Sequence, residues 1–192
     1  MNKTIVLASA SPRRKELLTN LKLDFTVHPS SFEEKAGGLS PEELAQHNAL
    51  GKAHQVSKEY RDALVIGVDT VVAVADQILG KPKDREDHER MISLLSGKSH
   101  KVISSICIIN TATDKNMLAY ETTLVHMGRI SEEEVQAYVD SGEGDDKASG
   151  YAIQGLGSLF IKKIEGDYFN VVGLPIYRLR KMFKEFGIKK VI

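Results

Sequence analysis

Apolar and polar positions alternate along the chain in blocks that read as strands and helices in turn. Thr4-Ile-Val-Leu-Ala8 has the continuous apolar pattern of a buried strand, and Ser11-Pro12 then starts a helix, with serine at the N-cap and proline at the first helical position. That helix places Leu17, Leu18 and Leu21 on one face. A short strand is expected over Phe25–His28, followed by a polar loop over Ser30–Leu39. Ser40-Pro41-Glu42-Glu43 is a capping box opening a helix that runs to about Tyr60. Ala63 to Ala75 is the next strand, Asp76-Gln77 its turn and Ile78-Leu79 a short returning partner. Asp84 to Leu95 is amphipathic and closes on Gly97.

Val102–Thr111 and Met117–His126 read as a hairpin turning at Thr113–Asn116. Ser131 to Glu134 starts a helix that stops near Ser141-Gly142, and Gly142–Gly157 is a glycine-rich polar loop. Phe160–Ile164 and Tyr168–Val172 suggest a second hairpin around Glu165-Gly166-Asp167. Leu174-Pro175 leads into a last helix to about Phe186, with a basic tail beyond it. Strands alternating with helices, with hairpins among them, predict an α/β fold around a mixed central sheet with flanking helices. The 192 residues suffice for one domain, 1–192, with a single substantial core or two lobes.

One position breaks the pattern. Asp69 sits inside Ala63-Leu-Val-Ile-Gly-Val-Asp-Thr-Val-Val-Ala-Val-Ala75, where sheet interior is expected. A carboxylate there must be paired, hydrogen-bonded or metal-bound, because an unpaired buried charge costs several kcal/mol. Asp69 is therefore the first candidate for a catalytic or metal-binding group, with an aspartate that merely closes a strand as the bland reading. Gly67, two residues earlier, allows close backbone approach at the same place.

Lys plus Arg and Asp plus Glu number 26 each, so no global field draws in nucleic acid or an anionic membrane. Anion binding must come from local clusters. The single Cys107 lies in an apolar run and reads as a core residue; one cysteine excludes an intrachain disulfide framework and fits a reducing compartment. The opening residues are too short in their apolar part for a signal peptide, and no stretch has the length of a spanning helix. A cytoplasmic location is expected.

Ala8-Ser-Ala-Ser-Pro-Arg-Arg14 has the form of an anion cradle. Small residues admit a phosphate, a helix N-terminus offers free N–H groups, Ser9 and Ser11 add hydroxyls, and Arg13 or Arg14 can clamp the anion. No P-loop is present. Glu33-Glu34-Lys35, Lys52 and Lys81 would ordinarily be solvated surface charge. Lys81, held between Gly80 and Pro82 after the strand returning from Asp69, is expected to bring a cation near that carboxylate. In the loop Asp146 to Gly155, Gln154 can read a base edge through its paired donor and acceptor. The six histidines show no metal-ligand spacing and are read as surface or core filler.

Ala8-Ser-x-Ser-Pro-Arg-Arg-x-Glu-Leu-Leu18, Gly67-x-Asp69-Thr70, Leu79-x-Lys81-Pro82, Leu95-Ser-Gly97 and Asp146-Lys147-Ala through Ile153-Gln154-Gly155 together resemble the Maf nucleoside triphosphate pyrophosphatases. The resemblance spans essentially the whole chain, including Gly166-Asp-Tyr and Val172-Gly-Leu-Pro175. It implies an elongated, two-lobed architecture with a central cleft, akin to the inosine-triphosphatase (Maf/Ham) fold. It also implies hydrolysis of a nucleoside triphosphate to the monophosphate and pyrophosphate with a divalent metal, Mg or Mn. Arg13, Thr70 and Gln154 match the branch that acts on dTTP, UTP and modified pyrimidine nucleotides. The chain departs from the family's usual Ala-Gly-Ala-Tyr-Gly at Ala148-Ser-Gly-Tyr-Ala152, small changes that bear on loop detail. A homodimer is a further family expectation.

The residue chemistry agrees. Ser9, Arg13, Lys52 and Lys81 are the candidate phosphate ligands, Asp69 the general base or metal ligand, and Glu34 the second carboxylate for the metal. The rival reading is a nucleotide- or nucleic-acid-binding regulator built on Ser11-Pro-Arg-Arg14, against which the balanced charge argues.

Overall fold

The computed structural model describes residues 3–75 and 77–188. Its strands are β1 (Thr4–Leu7), β2 (Phe25–Val27), β3 (Ala63–Val74), β4 (Gln77–Leu79), β5 (Ser99–Asn110), β6 (Asn116–Met127) and β7 (Ile161–Glu165). They form one mixed sheet in the order β2-β1-β3-β5-β6-β7, with β4 paired to β3. β1 runs parallel to β2 and β3, and β5, β6 and β7 add on as antiparallel neighbours. The helices are α1 (Pro12–Asn20), α2 (Pro41–Ser57), α3 (Arg85–Leu95), α4 (Glu132–Asp140), α5 (Tyr168–Val172) and α6 (Ile176–Glu185). Helices α1 and α2 are the crossovers that parallel pairing requires. The α/β class and mixed central sheet expected from the alternation are therefore present.

Most boundaries fall within three residues of those the sequence predicts. The capping boxes at Ser40–Glu43 and Ser131–Glu134 both form. Helix α2 ends at Ser57 instead of Tyr60, and its last residues continue as a turn, with Glu59 N–H donating to Val56 O. Asp76, expected in the turn after β3, and the lysines of the basic tail lie outside the described residues.

One element differs in kind. Tyr168–Val172 is helix α5 and not a strand, and β7 pairs with β6 through Val125 and Ile164. The paired valines favour a strand locally, but the Asp167 side chain accepts from Phe169 N–H at 2.8 Å, and Gly173 at φ +118° ends the turn. The helical turn also delivers Asn170 into the sheet. Its side-chain amide accepts from Ser104 N–H at 3.0 Å and donates to Val102 O at 2.8 Å.

Strand β3 runs through several apolar clusters, two of which flank the site. Val68 packs with Leu7, Leu18, Ile66, Ile106, Leu179 and Phe183, whereas Val74 packs with Ile92, Leu95, Val135, Tyr138 and Tyr151. Asp69, Thr70 and Val72 lie between them along the strand and face a cavity of about 600 Å³, a normal size for a small-molecule site.

Candidate active site

The site begins with a missing side chain. A Cβ on Gly67 would stand 2.2 Å from Ala49 O and 2.6 Å from Ala53 N, so only glycine lets α2 lie this close on β3. That approach brings Asn48 and Lys52, one helical turn apart, onto the Asp69 side chain. Lys52 Nζ lies 2.6 Å from Asp69 Oδ1 and also donates to Val68 O at 3.3 Å, while Asn48 Nδ2 donates to Asp69 Oδ2 at 3.3 Å. Asp69 is 5% exposed and Lys52 8%. The buried carboxylate is thus paired and hydrogen-bonded, as its position demanded.

The surface reading of Lys52 is corrected by the structure. Lys52 is a buried partner of Asp69 and not a surface lysine, whereas Lys81 is exposed on the cavity wall and makes no ion pair among the described residues. The close approach of α2 to β3 is what buries Lys52 against the carboxylate. The acidic loop is likewise only partly solvated. Asn48 accepts from Lys35 N–H at 3.0 Å and donates to Lys35 O at 3.1 Å, which fixes the loop so that Glu34 Oε1 lies 2.7 Å from Lys52 Nζ.

The strand-to-helix turn lines the same cavity beside β3. Ser11 is the N-cap of α1, yet its side chain makes no capping hydrogen bond, unlike Ser40 and Ser131. The first turn of α1 therefore keeps N–H groups for another acceptor. Arg13 lines the cavity, and its Nε is buried with no partner among the described residues. Burial holds the Arg13 guanidinium below its ordinary value, opposed by Asp146 and then Tyr138.

Arg14, the alternative phosphate clamp, is already committed. It donates to Gly173 O at 2.9 Å, Ser9 Oγ at 3.1 Å, Val68 O at 3.0 Å and Thr70 Oγ1 at 3.0 Å. It ties the turn, β3 and the end of α5 together. Thr70 Oγ1 continues this network to Ser104 Oγ at 2.8 Å.

Ser9, Arg13, Glu34, Lys52, Asp69, Thr70, Lys81 and Gln154 all line the one cavity, although they come from six separate segments. The sequence reading missed Asn48, Asn170, Tyr138 and Glu143. For Asn48 a signal existed: it lies beside Ala49 and Ala53, the small residues that pack on Gly67, and one turn before Lys52. Cys107 is buried, and burial pushes its thiol up to about 12, so it is the inert core residue expected.

Among the described residues no group of three or more His, Cys, Asp and Glu side chains is placed to hold a metal. Glu34 and Asp69, which each place an oxygen on Lys52 Nζ, are a two-carboxylate set. Such a set suits a hard cation that draws its remaining ligands from phosphate and water.

Fold and cavity define a class: an α/β protein in which an uncapped strand-to-helix turn and a buried, lysine-paired carboxylate line one cavity. The chain belongs to the Maf family, since the family profile described as Maf-like protein matches residues 4–186. Its relatives include the dTTP/UTP pyrophosphatase of Thermoanaerobacter sp. (strain X514), 47% identical over 187 residues, covering 96% of this chain and 98% of the relative. That of Alkaliphilus oremlandii is 49% identical over 179 residues, covering 92% and 93%. Among solved structures, the Ham1 protein of Staphylococcus aureus aligns with a TM-score of 0.47 at 17% identity, over 83% of this chain and 80% of that one. That likeness is too distant to bear on the site.

Proposed function

We propose that the protein is a nucleoside triphosphate pyrophosphatase that hydrolyses dTTP, UTP and modified pyrimidine nucleotides to the monophosphate and pyrophosphate. One observation carries the reading: Asp69, buried and paired with Lys52, lies on the same cavity as the uncapped N-terminus of α1 and Arg13, whose buried Nε has no partner among the described residues. The names of the relatives at 47% and 49% identity agree with it.

In this reading Ser9, Arg13, Lys52, Lys81 and the free N–H groups of α1 hold the triphosphate. Asp69 takes a proton from water as its oxygen bonds to phosphorus, and the α–β anhydride bond breaks with pyrophosphate as leaving group. Arg13, Thr70 and Gln154 select the pyrimidine. Glu34 and Asp69 would hold Mg²⁺ or Mn²⁺, which when bound neutralises phosphate charge and lowers the pKa of water. Lys52 bridges the same carboxylates and keeps the pair compact. The chain acts as one catalytic unit in the cytoplasm, working as a homodimer.

A panel of nucleoside triphosphates, with products identified by mass spectrometry, tests the reading. Pyrimidine triphosphates should give monophosphate and pyrophosphate, chelation should abolish turnover, and added Mg²⁺ should restore it. Diphosphate and inorganic phosphate as products would refute it.

A further inference from the structure

The Gln154 side chain is exposed on the cavity wall and makes no hydrogen bond among the described residues, so its aim depends on its backbone. That backbone is held at both ends by two residues from the end of α4 and the turn after it. Ala152 N–H donates to Tyr138 Oη at 3.3 Å. Tyr138 Oη donates to Glu143 Oε1 at 3.1 Å, which also accepts from Gly157 N–H at 2.8 Å, while Oε2 accepts from Leu156 N–H at 2.8 Å. The segment 152–157 is thus wrapped around a tyrosine–carboxylate pair, with Gln154 at its outer edge.

The wrap is tight at both glycines. A Cβ on Gly155, at φ +89°, would stand 2.2 Å from Glu143 Oε2, and one on Gly157 would stand 2.4 Å from Ala152 O. Burial pushes the Glu143 carboxyl up, but the N–H groups of Gly157 and Leu156 and the Tyr138 hydroxyl more than reverse this and hold it low. Glu143 also lines the cavity. A carboxylate beside an anion site is repulsive unless its charge is engaged elsewhere. Here three protein donors engage both oxygens, which marks it as support for the segment and not as a ligand of the phosphates.

We infer that Tyr138 and Glu143 are positioning residues that fix the Gln154 segment against the cavity and thereby set the choice of base, an inference that rests on the nucleotide reading above. Four variants test it, each first checked for folding by melting temperature: Glu143→Ala, Tyr138→Phe, Gln154→Ala and Glu143→Ala/Gln154→Ala. In Glu143→Ala the ratio of kcat/KM for UTP to that for a purine triphosphate should fall about tenfold, the worth of one charge-assisted hydrogen bond. Its kcat for UTP should change little. Tyr138→Phe should lose less, since it removes only the bridging hydroxyl and keeps the ring.

The double variant should be no less selective than Gln154→Ala alone, because the two act through one segment. An unchanged ratio in Glu143→Ala, or a double variant equal to the product of its singles, would overturn the inference. Amide exchange separates this from failure of the nucleotide reading. Exchange at Leu156 and Gly157 should speed up in Glu143→Ala whatever the substrate; unchanged exchange there would also overturn it. A wild type that turns over no pyrimidine triphosphate would instead refute the nucleotide reading. Should Glu143→Ala fail to fold, Glu143→Gln and Tyr138→Phe carry the same comparisons.

Discussion

At the scale of single residues, the Asp69–Lys52 pair is the centre of the site. Asp69 was legible in the sequence because a carboxylate in an apolar strand demands a partner. Its partner was not, because a lysine within a helix carries no mark of burial until the facing strand is known. The same asymmetry applies to the arginines: Arg13 and Arg14 are equivalent as letters, yet among the described residues one keeps an unpartnered buried Nε and the other donates four hydrogen bonds to protein acceptors. Replacing Lys52 by Met should abolish turnover and destabilise the fold by about 3 kcal/mol, since Asp69 would remain buried with Asn48 as its one side-chain donor among the described residues. Denaturant unfolding measures the second effect, and an unchanged midpoint would contradict the pairing. Arg14→Lys should weaken the link between Ser9 and Thr70 without freeing a phosphate ligand.

At the scale of elements, the contact of α2 with β3 decides whether the site exists. Gly67 is the residue that permits it, and the sequence did point to close approach there. Gly67→Ala should cost about 2 kcal/mol or more through overpacking against Ala49 and Ala53, and should lower activity as Lys52 and Asn48 move off Asp69. Wild-type stability with wild-type activity in that variant would contradict the account. Helix α5 shows where local pattern misleads. Its valines read as strand, but the Asp167 cap, the Gly173 stop and the buried amide network of Asn170 together favour a helical turn. In the loop before β7, Ser149 occupies the left-handed region at φ +64° where the family resemblance puts glycine. It is buried there, and its N–H donates to Gly80 O at 2.8 Å, binding the loop to the Lys81 turn.

For the whole molecule, the order of strands and helices could be read from periodicity and caps, while the convergence of six segments on one cavity could not. That convergence depends on helix–sheet distances and on side-chain networks spanning more than a hundred residues, such as Arg14 to Gly173. Global stability should also depend on pH through one buried histidine. His100 is 1% exposed, its Nε2 lies 2.7 Å from Tyr151 Oη, and burial, then His126, push it down from 6.5 to about 4. The unfolded chain therefore takes up this proton first, so the stabilisation is complete above the ordinary value and is lost as pH falls toward the folded one. Between pH 7 and 5 the loss should be about 2 kcal/mol. Urea unfolding of the wild type and His100→Gln at both pH values checks this, and equal slopes against pH would contradict it.

Asp69, buried on the cavity wall, should drive cleavage of the bond between the first and second phosphates of a bound nucleotide. Phosphorus NMR of dTTP with Mg²⁺, incubated with the wild type and separately with Asp69→Asn, tests it most directly. The wild type should yield thymidine monophosphate and pyrophosphate, and a folded Asp69→Asn should be slower by at least about a hundredfold. Thymidine diphosphate with inorganic phosphate, or undiminished turnover in the variant, would contradict it.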